Sequence, residues 1–469
     1  MTTPDNRQFV ACSQSSNGLS AGKCLMVSFC WVVFALLTGC VSYRPVPLEQ
    51  TLFRSDLSTC TNDKISVAAT VLSSEQCRRV FGADLYSQGI QPVWLEIENK
   101  SDAMLVFFER SVDPHYYSHM EAAQKAHISV WRPFFEHGTF SVLLWPLLPL
   151  APIRAASASA ANRDMDEYFD DVGIGNEALS PGERAEGFVF THVDAGTKKV
   201  PVRLVGADQK YTCTLFLKVP GTLVDHDLVE FESIYRDDEY IEHDWQSFVR
   251  RLATVPCCTT NAKGTQQGDP VNLVIIGALD DVLQAFTLAG WDETEPLSLS
   301  TSWQTARSFL NGTSYRTSPV SNLYLFDRRQ DFALQKARDT INARNHLRLW
   351  RSPWRLEGKP VWLGQVSRDI GVRPTLKTWN LTTHRIDPDV DDSRDNVLGD
   401  LVESGRVSLV GFFRGNHQRR REAPGFNLTG DLYYTDGELL IMVIEPDETV
   451  LQVFDWHARA AKKPPRQDE

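Results

Sequence analysis

Several motifs that would point directly to a function are missing from this 469-residue sequence. It has no CxxC pair typical of a zinc site, no Walker phosphate loop and no GxGxxG dinucleotide loop. Basic residues are in deficit, with 48 Lys and Arg against 60 Asp and Glu. Because the net charge of -12 repels nucleic acid, we expect no nucleic-acid partner, and any site for an anion must come from a local basic cluster.

Long apolar runs are also scarce. Lys23 precedes the run CLMVSFCWVVFALL, which is too short to span a bilayer comfortably but has the length of a signal-peptide core. Leu37, Gly39 and Cys40 then stand where a bacterial lipoprotein signal, which this segment resembles, has its lipobox. The resemblance implies that Cys40 is acylated and anchors the mature chain to a membrane. Val41 in place of Asp implies the outer membrane, facing the periplasm. A membrane-anchor helix or a buried helix is the alternative.

The remaining cysteines suggest disulfides, because the periplasm is oxidising. They are Cys60, Cys77, Cys213, Cys257 and Cys258. A Cys60–Cys77 bond would close a short loop, and the adjacent Cys257-Cys258 pair would supply a partner for Cys213, with a nucleophilic role of that pair as the alternative. The number is odd, so at least one thiol stays free or pairs between chains.

The first half of the mature chain has the period-two pattern of β-strands. The string VWLEIENKSDAMLVFF (93–108) predicts a hairpin, and GFVFTHV, VPVRLV and YTCTLFLKV predict further strands. A proline-containing apolar stretch and a helix interrupt this pattern at 140–174. We therefore expect an all-β, sandwich-like domain here.

From Pro270 onwards the pattern is mixed. VNLVIIG predicts a strand and DDVLQAFTLAGW a helix that ends at Gly290, and NHLRLW, PVWLGQV and VSLVGFF predict more strands. The string DSRDNVLGDLVESG predicts a helix, and LYYTDGELLIMVIE a hairpin that turns at Asp436-Gly437. The second domain is therefore expected to be α+β with a mixed sheet.

A multidomain chain follows from these patterns. The expected parts are a lipoprotein signal peptide (1–39), a tether (40–58), a β-sandwich-like domain (59–228), a helical linker (229–265), an α+β domain (266–455) and a polar tail (456–469).

The α+β part also carries a family resemblance. SPVSNLYLFDRRQDFALQKA, RNHLRLWR, PVWLGQVSRDIGV and THRIDPDVDDSRD follow one another in the order found in the LssY C-terminal domain family. The resemblance covers about residues 265–415. It implies a fold and a cell-envelope setting, but no reaction and no cofactor.

An acidic string, HRIDPDVDDSRD (384–395), is the first candidate site. Its alternating aspartates have the spacing of a calcium loop, but positions six and twelve of an EF-hand would be Asp392 and Leu398 instead of Gly and Glu. Asp391, Asp392 and Asp395 are explained by a helix start, where acids complement the helix dipole.

His384, Asp387 and Asp389 precede that helix. A histidine near a carboxylate has the chemistry for general acid/base catalysis, and the three side chains have the chemistry to hold a divalent ion. A hydrogen-bonded turn without function is the alternative.

A basic cluster is the second candidate. On the strand NHLRLWR, alternation places His346, Arg348 and Trp350 on one face, and Arg368 and Asp369 follow on the next strand. Arginines on such a face would bind a phosphate or carboxylate through forked hydrogen bonds. The alternative is that these arginines pair with the 387–395 aspartates and leave no site.

Three functions remain open at this point. The first is binding of an anionic envelope ligand, such as a phosphate-bearing lipid or glycan, through His346, Arg348 and Arg368. The second is a phosphoester hydrolase that uses His384, Asp387 and Asp389. The third is a non-catalytic assembly or secretion factor with an envelope protein as its partner.

Overall fold

The computed structural model describes residues 43–127, 151–294, 320–337, 344–374, 382–415 and 417–455, with the backbone alone for 151–156, 372–374 and 382–384. The predicted signal peptide, Cys40 and the polar tail lie outside the described residues. None of the described helices is both long and apolar enough to cross a membrane. The described residues are mostly β-strand in several sheets, together with six α-helices.

Two four-stranded antiparallel sheets occupy the first part of the chain. Their strands are β1 (Ser58–Thr61), β2 (Ile65–Val71), β3 (Ile90–Asn99), β4 (Leu105–Phe107), β5 (Glu177–Leu179), β6 (Arg184–His192), β7 (Thr197–Val205) and β8 (Lys210–Lys218). One sheet has the order β1-β2-β3-β6 and the other β5-β4-β7-β8. Alternate residues of both sheets, among them Val67, Leu95, Val202 and Leu215, share one apolar core.

A disulfide links the two sheets. It joins Cys60 of β1 to Cys213 of β8, whose Cα atoms are 5.9 Å apart. The predicted Cys60–Cys77 bond is therefore wrong, because β1 lies against a strand of the other sheet, and Cys77 is a buried free thiol. Cys257 and Cys258 form a disulfide with each other, so the prediction that they supply a partner for Cys213 is also wrong.

The predicted hairpin at 93–108 is wrong, although both of its strands exist. β3 pairs with β2 and β6, whereas β4 pairs with β5 and β7, so the two strands lie in different sheets. Asn99 redirects the chain between them. Its amide nitrogen donates to Ala103 O (2.8 Å) and Leu179 O (2.9 Å), and its Oδ1 accepts from Ser101 N (2.9 Å).

The described part of the chain has six α-helices, some of which begin at a side-chain cap. They are α1 (Ser74–Phe81), α2 (His119–Ala126), α3 (Ala151–Val172), α4 (Trp245–Leu252), α5 (Leu279–Leu288) and α6 (Val390–Glu403). Ser73 and Gln76 form a capping box at the start of α1, which ends at Gly82 with a φ of 61°. Asp244 caps α4 by accepting from Ser247 N (2.7 Å).

The chain divides into two compact units. One comprises Met1–Arg44 and His127–Tyr168, and the other comprises Pro45–Ala126 and Phe169–Glu469. All the described strands belong to the second unit.

A mixed ten-stranded sheet dominates the second part of the chain. The strands of this part are β9 (Ile241–His243), β10 (Cys258–Thr260), β11 (Gln267–Pro270), β12 (Leu273–Ile276), β13 (Asp292–Glu293), β14 (Tyr324–Leu325), β15 (Arg328–Arg329), β16 (Phe332–Ala337), β17 (Arg344–Leu356), β18 (Lys359–Pro374), β19 (Thr382–Ile386), β20 (Val407–Arg414), β21 (Gly425–Phe426), β22 (Leu432–Tyr433), β23 (Glu438–Ile444) and β24 (Gln452–Val453). The large sheet has the order β13-β16-β17-β18-β12-β23-β20-β24, with β19 added to β18 and β9 to β17.

The two faces of this sheet are covered by different elements. Phe286 of α5 and Leu401 of α6 pack with Trp362 on one face. Phe248 and other apolar residues of α4 pack with Trp350 on the opposite face. The central strands are therefore apolar on both sides, as strands covered on both faces usually are.

The predicted hairpin around Asp436-Gly437 is wrong as well. β22 pairs with β21, whereas β23 pairs with β12 and β20 in the large sheet. Asp391 of α6 holds the intervening loop, because its carboxylate accepts from Thr435 Oγ1 and from Asp436 N, both at 2.7 Å. A contact from a distant helix thus replaces the local turn.

Candidate functional site

The register of β17 and β18 decides which predicted site residues meet. His346 lies opposite Ser367, Arg348 lies opposite Gln365, and Arg368 lies opposite Asn345. Because neighbouring residues of a strand point to opposite faces, Arg368 is on the other side of the sheet from His346 and Arg348. The predicted convergence of these three side chains is therefore wrong.

His346 and Asp369 do meet. Nε2 of His346 lies 2.7 Å from Oδ2 of Asp369, and both side chains are largely buried. Asp369 stands two residues beyond Ser367 on β18, so it returns to the face that carries His346. A carboxylate at this distance orients an imidazole ring through a hydrogen bond.

Arg348 lies beside this pair in a buried position, with 7% of its surface exposed. Its Nε donates to Ser321 O (2.9 Å) and its Nη1 to Gln365 Oε1 (2.7 Å). Burial lowers the pKa of Arg348, although the charges of Asp269, Asp369 and other nearby acids oppose this shift. The guanidinium is therefore held in a fixed orientation in a poorly solvated site.

One N–H group of this cluster points to no acceptor in the described part of the chain. It is the Nε2 group of Gln365, whose residue is completely buried. A buried donor without an acceptor is costly, so such groups usually have a partner. The arrangement suits a ligand that offers oxygen acceptors.

Two buried acids complete the cluster. Burial raises the pKa of Asp269, which accepts from Asn427 Nδ2 (3.1 Å), and the charge of Arg348 opposes that rise. Burial also raises the pKa of Asp225, against the charges of Arg329 and Arg348. Both carboxyls are therefore biased towards the neutral form, which can donate a hydrogen bond.

Trp350 lies outside this polar cluster. It shares the face of Arg348, but it is fully buried among apolar side chains, and its Nε1 donates to Arg328 O (3.3 Å). The same face of β17 therefore passes from the polar cluster into the apolar core, and the ligand-binding role expected for Trp350 stays a prediction.

Arg368 lies on the opposite face and is already paired. Its Nη1 forms an ion pair with Asp392 of α6, and its Nε donates to Asn345 Oδ1 (3.2 Å). The predicted binding of a ligand by Arg368 therefore conflicts with its position. This ion pair is the structural alternative expected from the sequence.

Asp387 and Asp389 form a local turn. Oδ1 of Asp387 accepts from Asp389 N (3.0 Å), and Asp387 N donates to Arg368 O (2.8 Å). Asp389 precedes α6 without a side-chain cap bond. His384 pairs with Val372 in the β18–β19 ladder, and its side chain lies outside the described part of the structure.

No group of three or more His, Cys, Asp or Glu side chains that could hold a metal occurs among the described residues. Several acids of the 384–395 string are held by other partners. Asp391 binds the loop before β23, and Asp395 accepts from Arg394 Nε (3.0 Å).

Gln365, Asp225 and Asp269 were not predicted from the sequence. Gln365 interrupts the apolar string PVWLGQV, and this buried polar residue was the one available signal. Asp225 and Asp269 lie outside strands β17 and β18, which carry the predicted site residues. They come near Arg348 only in the folded chain.

Comparison with known proteins supports the resemblance noted for this part of the chain. No curated protein matches the sequence. Residues 249–439 match the model of the family described as LssY C-terminus, and these residues include His346, Arg348, Gln365 and Asp369. The predicted relationship to the LssY C-terminal domain family is therefore confirmed over this range.

Proposed function

We propose that the LssY-like domain binds a phosphate-bearing anionic ligand at the cluster formed by Arg348, Gln365, His346 and Asp369. The observation that carries this proposal is the buried Nε2 group of Gln365, for which the described residues offer no acceptor, beside the buried guanidinium of Arg348. Phosphate oxygens match these donors in charge and in hydrogen-bonding capacity.

Burial lowers the cost of protonating two of the nearby acids. Because burial raises the pKa of Asp269 and of Asp225, a bound anion would find them more easily protonated than exposed carboxyls. The protonated forms donate hydrogen bonds and carry no repelling charge. An anion at this place would in turn favour their protonation.

The cellular setting is part of the same proposal. A lipid-anchored chain on the periplasmic side of the bacterial outer membrane, acylated at Cys40, would meet phosphate-bearing lipids and glycans. The tether at 40–58, a β-sandwich-like domain at 59–228 and an α+β domain at 266–455 are the organisation that we propose for it. The shared core of the two four-stranded sheets supports the sandwich.

Gln365→Glu is the sharpest test of the site. Glutamate keeps an acceptor for Arg348 Nη1 but replaces the open N–H group with a second negatively charged oxygen. We expect the affinity for inorganic phosphate to fall at least about tenfold, which corresponds to the loss of one charge-assisted hydrogen bond. Isothermal titration calorimetry on the full chain measures it.

Gln246→Glu is the matched control, because it adds the same charge to an exposed position of α4 in the same part of the chain. It should bind phosphate as the parent does. An unchanged affinity in the Gln365→Glu variant, with its thermal unfolding unaltered, would refute the proposed site.

Hydrolysis of a phosphoester at the same cluster is the second candidate, because of the 2.7 Å contact between His346 and Asp369. In this reaction water attacks phosphorus while His346 accepts its proton. The ester P–O bond breaks, the leaving alkoxide takes up a proton from solvent, and His346 returns its proton to solvent. The hydrolase hypothesis is thereby moved from His384, Asp387 and Asp389 to a pair whose contact is described.

His346→Gln tests this candidate. Glutamine retains hydrogen bonding but cannot act as a base near neutral pH, so the rate of p-nitrophenyl phosphate hydrolysis should fall on the order of a hundredfold or more. Phosphate binding measured alongside separates the two functions. If the parent protein did not hydrolyse the ester, or if the variant hydrolysed it as fast as the parent, the hydrolase candidate would be rejected. Ligand binding would then be the only proposed function.

A further inference from the structure

A second cationic surface lies on the segment 417–433, which we call the basic hairpin and whose Asn427 donates to Asp269 of the buried cluster. The sequence places Arg419, Arg420 and Arg421 in succession there, within a chain whose net charge is -12. In the described part of the chain, no carboxylate lies within ion-pair distance of these three guanidinium groups. Burial raises the pKa of Tyr433 and the charge of Arg419 opposes that rise, and the guanidinium of Arg421 lies 4.5 Å from the ring centroid of Tyr434.

Two large apolar side chains are exposed on the same hairpin. Phe426 of β21 and Leu432 of β22 lie directly opposite each other in the register, and they are 62% and 44% exposed. An open depression of about 500 Å³ lies beside Phe426 and is also lined by Arg419 and Gln267. Exposed apolar groups beside unpaired cations are typical of surfaces that bind a partner.

The hairpin is also well ordered, so its side chains are held together. One tight turn is closed by the bond from Ala423 N to Arg420 O (3.0 Å), and another by the bond from Gly430 N to Asn427 O (3.0 Å). Oδ1 of Asn427 accepts from Thr429 N (3.1 Å) and from Asp431 N (2.9 Å). The cations and the apolar pair therefore form one fixed surface.

We propose that the basic hairpin docks on the surface of an anionic lipid bilayer. The three guanidinium groups contact lipid phosphates, while Phe426 and Leu432 enter the boundary between headgroups and acyl chains. Charge complementarity favours this occupant. The net charge of -12 makes the chain as a whole repelled by an anionic surface, so approach requires a local cationic face such as this one. The inference does not depend on ligand binding at Arg348.

Vesicle sedimentation of the full chain tests the proposal, with Cys40→Ala present throughout so that acylation cannot contribute. The probes are vesicles of phosphatidylcholine with and without phosphatidylglycerol. We expect the parent to prefer the anionic vesicles. The triple change of Arg419, Arg420 and Arg421 to Gln should lower its partition into them on the order of a hundredfold at low salt.

A second variant separates the apolar contribution. Phe426→Ser with Leu432→Ser should also weaken vesicle binding, while leaving the salt dependence of the remaining binding unchanged, because it removes no charge. Both positions are exposed, so the variant should unfold at the same temperature as the parent.

The matched control removes three exposed cations elsewhere, through Arg110→Gln, Arg203→Gln and Lys210→Gln. It should bind vesicles as the parent does. An equal loss in this control would overturn the proposal, because attraction would then depend on overall charge. Parent-like binding of the arginine triple variant, or complete competition by inorganic phosphate, would overturn it too, the latter by indicating a site for free phosphate.

Discussion

Removal of the Cys60–Cys213 disulfide should destabilise the protein by about 5 kcal/mol, since the bond closes a long loop in the unfolded chain. The two cysteines are separated by 153 residues. A cross-link over that distance removes a large conformational entropy from the unfolded state, and it also joins the two sheets of the shared core. The change is Cys60→Ser with Cys213→Ser, and urea unfolding without reductant measures it.

The matched control is Cys257→Ser with Cys258→Ser. It also removes one disulfide, but that disulfide joins adjacent residues and closes no chain loop. Its effect on the urea midpoint should therefore be much smaller. Equal midpoints for the parent and the Cys60/Cys213 variant would contradict the prediction, as would mass-spectrometric peptide mapping that found Cys60 bonded to Cys77.

Loss of the Arg394 side chain should lower the free energy of unfolding by about 3 kcal/mol or more. The reason is that a buried cation that binds several carboxylates would be removed. Arg394 is 3% exposed, and it donates to both carboxylate oxygens of Asp436, at 2.8 and 3.1 Å. Burial by itself would lower the pKa of Arg394, but the hydrogen bonds and charge of Asp436, followed by the charges of Asp391 and Asp395, raise it. The partial exposure of Asp436 and Asp395 places the cost near the lower end of the range for broken buried pairs.

Arg394→Met is the change, and the free energy of unfolding in urea is the measurement. Arg414→Met is the matched control, since Arg414 also pairs with an acid, Glu438, at 3.4 Å but with a side chain that is 74% exposed. The control should cost less than about 1 kcal/mol. Similar losses in the two variants would show that the buried network adds no stability of its own.

Periodicity predicted where the strands and helices lie along the chain better than it predicted which strands pair with each other. The strands at 93–99 and 105–107 and the strands around Asp436 exist, but both predicted hairpins are wrong. A short connection favours pairing of neighbouring strands, yet side chains from elsewhere decided the outcome. Asn99 binds Leu179 O, and Asp391 of α6 binds the loop at Thr435. Local patterns contain no information on such long-range contacts.

The candidate site shows the same division. Alternation along β17 put His346 and Arg348 on one face, as observed, and the short spacing on β18 gave Asp369 as their neighbour. The prediction that Arg368 lies on the same face was wrong. Which residues of two neighbouring strands share a face of the sheet depends on the register between the strands. A shift of one residue in that register would exchange the positions of Arg368 and Asp369.

The sequence by itself determined the acidic balance of the chain, the change from period-two strands to mixed elements near Pro270, and the LssY-like strings that the family model matches over 249–439. Each of these depends on residue types and their spacing along the chain. Only the tertiary structure decided that Cys60 meets Cys213, that Arg368 pairs with Asp392 on the far face, and that Gln365 and Asp269 join Arg348. These contacts bring together residues far apart in sequence, and strand register and burial select them only when the chain folds.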